Sequence, residues 1–108
     1  MAEEQIKSFI PFYRQKLKCL DDDFDEVFLE ILHMDRKGID TKNPAAYAVG
    51  LAYIAVVLSN QKVTQKQIAD AGGYSTVTVR NRYMDIKKRT DFDPSGWFEK
   101  YENKHRKQ

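Results

Sequence analysis

Cations and small polar side chains are concentrated in residues 62–89, in a pattern typical of a helix that contacts nucleic acid. Seven lysines and arginines stand there against two aspartates. Val79, Tyr83 and Ile86 recur at helical spacing and should face inward. The other faces of this predicted helix carry Arg80, Asn81, Met84, Lys87 and Lys88.

Local signals place a tight turn directly before that helix. Thr64 can cap a preceding helix, and Gln67, three residues later, completes a capping box. The glycines at 72–73 end it, because glycine adopts left-handed backbone angles without steric cost. Ser75 can cap the next helix. The span 64–88 therefore has the pattern of a helix-turn-helix, whose second helix enters the DNA major groove. The same pattern also fits two core helices with a solvated, lysine-rich face.

A calcium site at the acidic stretch is poorly supported. Asp21, Asp23 and Asp25 mimic the start of an EF-hand loop. Glu26 stands where that loop needs glycine, and Leu32 stands where it needs a bidentate acid. We expect these acids to cap and solubilise a helix instead.

Catalytic groups are also lacking. His33 and His105 have no partner at metal-ligand or catalytic spacing. Cys19, the single cysteine, is expected to be a small buried apolar group. No Ser-His-Asp arrangement or phosphate-binding loop is visible, so we expect a protein that is not an enzyme and uses no cofactor or metal.

Length and charge indicate one domain with two unlike sides. The chain has 108 residues, enough for a modest core. Residues 1–40 carry ten acids and six bases, whereas residues 41–108 carry twelve bases and six acids. The asymmetry predicts one face for a polyanion and another face turned away from it.

The sequence is that expected of a protein inside the cell. A single cysteine excludes an internal disulfide, which fits a reducing compartment. The acidic start, MAEEQIKSF, lacks the apolar core of a secretory signal. The apolar run at 44–58 is too short to span a bilayer.

The helical period predicts an all-α domain of five helices, of which the last two are the helix-turn-helix. The first is expected over roughly residues 4–18, where Pro11 either kinks the helix or marks its real start near Phe9. The third, over residues 44–59, is uncharged on every side and should be surrounded by protein. Gly50 within it suggests close packing by a neighbour.

The second and third helices have clear ends in the sequence. The second is expected over residues 23–37, capped by Asp22 or Asp23 and terminated by Gly38. Asn43 followed by proline is a strong start signal for the third.

The composition changes after residue 90, which divides the chain into a repeat over 1–90 and an extension over 91–108. Proline and glycine break the helix, and Ser95 can cap a short sixth one. That helix would carry Trp97, Phe98 and Tyr101, which we expect to pack against the core.

Two stretches, KNPAAYAVGLAYIA and VTQKQIADAGGYSTVTVRNRYMDI, resemble the second cyclin-like repeat of transcription initiation factor IIB, most closely its archaeal form. IKSFIPFYRQKL is similar to the first helix of that repeat. The resemblance covers residues 6–88, and its most specific part is VTVRNRY at 77–83. It implies a cyclin-like fold in which the other helices surround one buried central helix.

The resemblance also implies a role in promoter recognition. In that family the second repeat reads a purine-rich B recognition element beside the TATA box, next to TATA-binding protein. By residue match, Val77 and Arg80 stand where the family's base-contacting valine and arginine stand. Arginine can donate two hydrogen bonds to guanine, and valine offers an apolar surface to the thymine methyl group. Phosphate contacts are expected from Lys62, Lys66, Thr78, Asn81, Lys87 and Lys88.

The implied partners are double-stranded promoter DNA, TATA-binding protein and RNA polymerase, bound by a monomer that touches no membrane. The implied location is the cytoplasm, on chromosomal DNA, or the nucleus of a eukaryote. The family's zinc ribbon and first cyclin repeat are missing from this sequence, so we expect either a fragment of the full factor or a single-repeat relative.

Two other functions remain open. One is a cyclin-like protein-interaction module that does not contact DNA. It would hold a peptide between the third and fifth helices or on the aromatic extension. The other is a stand-alone helix-turn-helix regulator that dimerises on palindromic DNA.

Overall fold

A computed structural model describes residues 2–90 of the chain. The predicted extension at 91–108, with its sixth helix and aromatic residues, lies outside the described residues. The described part is all-helical, as predicted, and its elements are α1 Ala2–Lys7, α2 Phe9–Lys16, α3 Asp22–Met34, a 3-10 helix Gly38–Asp40, α4 Pro44–Leu58, α5 Gln65–Gly72 and α6 Thr76–Thr90.

Helix α4 forms the centre of the domain. Eleven of its fifteen residues are buried, and α1, α2, α3, α5 and α6 all pack against it. Its start is the predicted one, with Pro44 in the first turn and the Asn43 side chain accepting a hydrogen bond from the Ala46 amide at 3.2 Å. Val57 alone among its large apolar side chains is exposed, by 39%. The cyclin-like arrangement around an uncharged central helix is thus confirmed.

The closest approach between helices is that of α4 and α6. A β-carbon on Gly50 would lie 2.5 Å from the Arg82 β-carbon and 3.0 Å from the Tyr83 amide nitrogen. Next to this contact the rings of Tyr53 and Tyr83 pack edge to face, with centroids 5.4 Å apart. The predicted close packing at Gly50 is confirmed, and the two helices leave no room there for a peptide.

The predicted single first helix is in fact two helices, separated at Ser8. Pro11 has no amide hydrogen, so the Lys7 carbonyl loses the donor that a continuous helix would supply four residues later. The alternative start near Phe9 is confirmed, since α2 begins there.

The predicted ends of the second helix, now α3, were wrong at both sides. The cap is Asp21, whose carboxylate accepts from the Asp23 amide at 3.0 Å, and not Asp22 or Asp23. The helix ends at Met34 and not at residue 37. Asp35 leaves the helical backbone region (φ −96°, ψ 67°) because its carboxylate turns into the core, where it is bonded to other helices.

Gly38 does not terminate α3 but begins the 3-10 helix. The prediction for Cys19 was also wrong, because its side chain is exposed in the connection between α2 and α3. Its neighbours explain the difference, since Leu20 fills the core and Leu17 packs against it, which leaves the two residues between them at the surface.

Candidate nucleic-acid interface

The first helix of the helix-turn-helix, α5, begins and ends as its sequence predicts. The Thr64 hydroxyl accepts a hydrogen bond from the Gln67 amide at 3.1 Å, and the Gln67 side-chain oxygen accepts from the Thr64 amide at 2.8 Å. Gly73 follows the helix with φ 78°, the left-handed conformation that glycine adopts without strain. The capping box and the glycine stop are therefore confirmed.

The turn then fixes the start of α6. The Ser75 hydroxyl accepts from the Thr78 amide at 3.2 Å, which confirms the predicted cap. Gln65 in α5 donates from its side-chain amide to the Thr76 carbonyl at 3.0 Å. This contact joins the two helices directly at the first turn of α6.

Helix α6 buries a narrow stripe. Val79 and Ile86 are fully buried and Tyr83 is half-buried, as their spacing predicted. Five exposed side chains lie opposite this stripe. They are Val77 and the residues three, four, seven and eleven positions after it, a spacing that places all five on one side of the helix. We call this set the outer face of α6: Val77, Arg80, Asn81, Met84 and Lys88.

The outer face combines free donors with apolar surface. Val77 is 64% exposed and Met84 is 51% exposed, the largest values among the exposed large hydrophobic side chains of the described chain. The side chains of Arg80 and Asn81 form no hydrogen bond or ion pair within the described residues. A guanidinium with an unoccupied fork can donate two parallel bonds to guanine, and apolar side chains suit thymine methyl groups.

The other predicted phosphate contacts are spread around this face. Lys87 and Thr78 are half-buried on its two flanks, and the Thr78 hydroxyl lies 3.2 Å from that of Ser75. Lys62 is exposed in the loop before α5, and Lys66 is exposed within α5. Lys66 is also paired with an aspartate in the next turn, 3.3 Å away, so its charge is partly compensated.

Met84 was not among the predicted site residues, and the ion pair between Arg89, at the end of α6, and the buried Asp35 was not predicted either. Arg89 donates from Nε and Nη2 to the two carboxylate oxygens of Asp35, at 3.0 and 2.9 Å. The Tyr47 hydroxyl donates to the same carboxylate at 2.9 Å. One signal could have indicated a partner for Asp35, because an acid at the carboxyl end of a helix opposes the helix dipole.

This pair removes one arginine from the cations available to a ligand. Its hydrogen bonds to Asp35 raise the pKa of the Arg89 guanidinium above its ordinary value. Burial, followed by the charge of Asp35, raises the pKa of the Tyr47 hydroxyl. Both shifts favour a charged Arg89 and a neutral Tyr47.

The acidic part of the chain is occupied by its own ion pairs. Arg14 donates to Asp22 and Asp25 at 3.0 and 2.8 Å, and Arg36 donates to Glu3 at 3.0 Å. A surface cavity of about 240 Å³ lies between α1 and α3. It is lined by Glu3 and Lys7 of α1, by Leu29, Leu32 and His33 of α3, and by Arg36.

Residues 2–90 contain neither a metal-binding cluster nor a membrane-spanning helix. No group of three or more histidine, cysteine, aspartate or glutamate side chains in this range is placed to hold a metal ion. No helix in the same range is long and apolar enough to cross a membrane.

Within residues 2–90, fold and surface define an all-helical domain whose last two helices form a helix-turn-helix with an exposed face that carries Arg80 and Lys88. Known proteins of similar sequence are transcription initiation factors. The chain is 32% identical to transcription initiation factor IIB of Methanococcus maripaludis over 95 residues, which are 86% of this chain and 28% of that protein. It is 35% identical to the factor of Caldivirga maquilingensis over 83 residues, 76% of this chain and 25% of that protein.

A shorter stretch is more similar still. The factor IIB of Ignicoccus hospitalis is 49% identical over 47 residues, 44% of this chain and 15% of that protein. By these similarities the chain belongs to the transcription initiation factor IIB family, as its motifs indicated. The chain spans about a quarter of the length of the Methanococcus maripaludis and Caldivirga maquilingensis relatives. No protein-family model matches the chain, and no solved structure matches it significantly.

Proposed function

We propose that this domain binds promoter DNA sequence-specifically, as part of a basal transcription initiation factor, through the outer face of α6. The observation that carries the proposal is the exposure of Val77 and Arg80 on one side of the second helix of a helix-turn-helix. These are the two positions that the family resemblance assigns to base contact. Arg80 would donate to guanine O6 and N7, and Val77 would cover a thymine methyl group.

The cations around this face would neutralise phosphates and set the register on the duplex. Lys62, Lys66, Lys87 and Lys88 are the candidates, with Thr78 and Asn81 as polar contacts. Neutralising about four phosphates gives a slope near −3.6 for log affinity against log salt. Phosphate contacts of this kind supply affinity without sequence preference.

The proposed site is an element of the B recognition type, read beside TATA-binding protein. A single domain with a small reading face binds weakly alone, and a neighbour on the same DNA raises its effective concentration. We therefore propose that the domain acts as a monomer on promoter DNA, with TATA-binding protein and RNA polymerase as partners, and without catalytic activity. The domain would be located on chromosomal DNA.

The test is selection of bound duplexes from a random pool, with and without TATA-binding protein. The expected result is an enriched purine-rich motif that contains guanine, with stronger enrichment when TATA-binding protein is present. Recovery of unenriched DNA under both conditions would contradict the proposal. Sedimentation of the complex separates a monomer from the dimer that a palindrome-binding regulator would form.

One observation favours a second candidate, a protein-interaction module. The cavity between α1 and α3 includes Leu29, whose side chain is 41% exposed beside the Glu3–Arg36 ion pair. Salt-insensitive binding of a polymerase peptide, abolished by Leu29→Ala and unaffected by Arg80→Ala, would support this alternative. The expected result under the leading proposal is that Leu29→Ala leaves DNA binding unchanged.

A further inference from the structure

The ion pair between Arg89, at the end of α6, and the buried Asp35 bears on how accurately the outer face is held. We propose that Asp35 and Arg89 are positioning residues for base reading, which fix the tilt and rotation of α6. The inference rests on the proposed function, because it concerns the same reading face. It adds two residues that do not touch DNA in this account.

Three supports hold α6 in place. At its first turn the Gln65 side chain donates to the Thr76 carbonyl at 3.0 Å. At its middle the backbone lies against Gly50 of α4. At its last turn Arg89 is bonded twice to Asp35, which lies 54 residues earlier in the chain and caps α3.

The last support is the most restrictive of the three. The Asp35 side chain is only 1% exposed, and a planar guanidinium bonded through two nitrogens fixes both distance and orientation. The Tyr47 hydroxyl supplies a third bond to the carboxylate. Gly38 closes the pocket, because a β-carbon there would overlap Asp35 and Tyr47. The end of α6 therefore cannot slide or rotate without breaking its bonds to the buried Asp35 carboxylate.

Such a restraint matters more for base contacts than for phosphate contacts. When the last support is lost, α6 can tilt about its first-turn contact at Thr76. Arg80 lies four residues, or about 6 Å, beyond that contact, so a tilt of about 10° moves it by roughly 1 Å. A bidentate contact to a base loses its geometry within about 0.5 Å of displacement. Flexible lysines follow their phosphates over such a distance, so loosening α6 lowers discrimination before it lowers affinity.

The test replaces Arg89 by lysine, which keeps the charge and removes the planar fork. Arg36→Lys is the matched control. It makes the same change at the next residue after Asp35, where the arginine pairs with Glu3 at the surface. Affinities for a selected duplex and for a scrambled duplex of equal length are measured over a series of salt concentrations.

The expected result for Arg89→Lys is about a tenfold loss in the ratio of the two affinities, the value of part of one bidentate base contact. The salt slope and the affinity for the scrambled duplex should not change, and Arg36→Lys should keep the full ratio. An unchanged ratio in Arg89→Lys overturns the inference. Equal weakening on both duplexes with a shallower salt slope also overturns it, because it makes Arg89 a phosphate contact.

Tyr47→Phe is the second variant, measured whether or not Arg89→Lys folds by circular dichroism. It removes one bond to Asp35 and keeps both charges. A smaller loss of the ratio supports the inference, and a wild-type ratio overturns it. A wild-type chain without any sequence preference would be a different result, since it overturns the proposed function itself.

Discussion

Helices α4 and α6 have the same length of fifteen residues and pack against each other, yet they differ in almost every other respect. Helix α4 carries no charged residue and buries eleven of its residues. Helix α6 carries six charged residues and fully buries only Val79 and Ile86. The comparison separates two tasks that adjacent helices perform in this domain.

The difference shows that a functional helix needs few buried side chains when small residues in its neighbour allow close approach. Gly50 lets the backbone of α6 approach α4 closely, so two buried side chains and a half-buried tyrosine are enough to seat it. The rest of its surface stays available, which is why Val77 and Arg80 can both be exposed. Helix α4 stabilises the fold, and α6 presents the proposed reading face.

The largest expected effect comes from separating the two helices. Gly50→Val should destabilise the domain by about 3 kcal/mol, because the added carbons overlap Arg82 and the helices must move apart. Urea unfolding followed by circular dichroism measures the change. Val57→Ile adds a methyl group to an exposed position of the same helix and should stay within about 0.5 kcal/mol. Equal stabilities of the two variants would contradict the close approach.

The next prediction compares the buried and exposed sides of α6 by making the same valine-to-alanine change on each. Val79→Ala should cost about 2 kcal/mol of unfolding free energy, because two buried methyl groups are lost and a cavity remains. Val77→Ala should stay within about 0.5 kcal/mol, since that side chain is 64% exposed. In DNA binding the order of the two effects should reverse. Val77→Ala should weaken the sequence preference at one base pair more than Val79→Ala does. Thermal unfolding measures the changes in stability, and competition binding measures the changes in sequence preference.

The contrast between these helices was predictable because its signals are local. Pro44 after a capping asparagine, the Thr64 box and the glycine pair each act within a few residues, and the structure has all three. The inward stripe of α6 followed from its spacing in the same way, and so did the exposure of Arg80.

The features that were missed depend on residues far apart in the sequence. Asp35 ends α3 early because it bonds to Arg89, and no local pattern joins positions 54 residues apart. The exposure of Cys19 depends on which neighbouring leucine reaches the core. Met84 was assigned to an outward side of the helix, but its exposure beside Arg80 was not connected to the site.

Arg80→Ala should act on binding alone. We expect a loss of about 1–3 kcal/mol on the preferred duplex and a flatter sequence preference, because a bidentate guanine contact is removed. Arg80→Lys keeps the charge and should recover affinity for scrambled DNA without recovering preference. Fluorescence anisotropy with both duplexes measures this. Equal losses on both sequences would reduce Arg80 to a phosphate contact.

The smallest effect concerns a single phosphate contact. Lys88→Ala should weaken binding on all sequences alike and lower the magnitude of the salt slope by about 0.9. Lys18→Ala removes an exposed lysine from the acidic half of the chain and should leave the slope unchanged. Anisotropy titrations at several salt concentrations compare the two. A larger change in slope for Lys18→Ala would place DNA on the other side of the domain.

Contact between DNA and the outer face of α6 is tested most directly by amide chemical shifts during titration with a selected duplex. We predict the largest shifts at Val77, Arg80, Asn81 and Lys88, with small shifts along α1 and α3. Saturable binding that shifts α1 and α3 while leaving the outer face of α6 unperturbed would contradict the account.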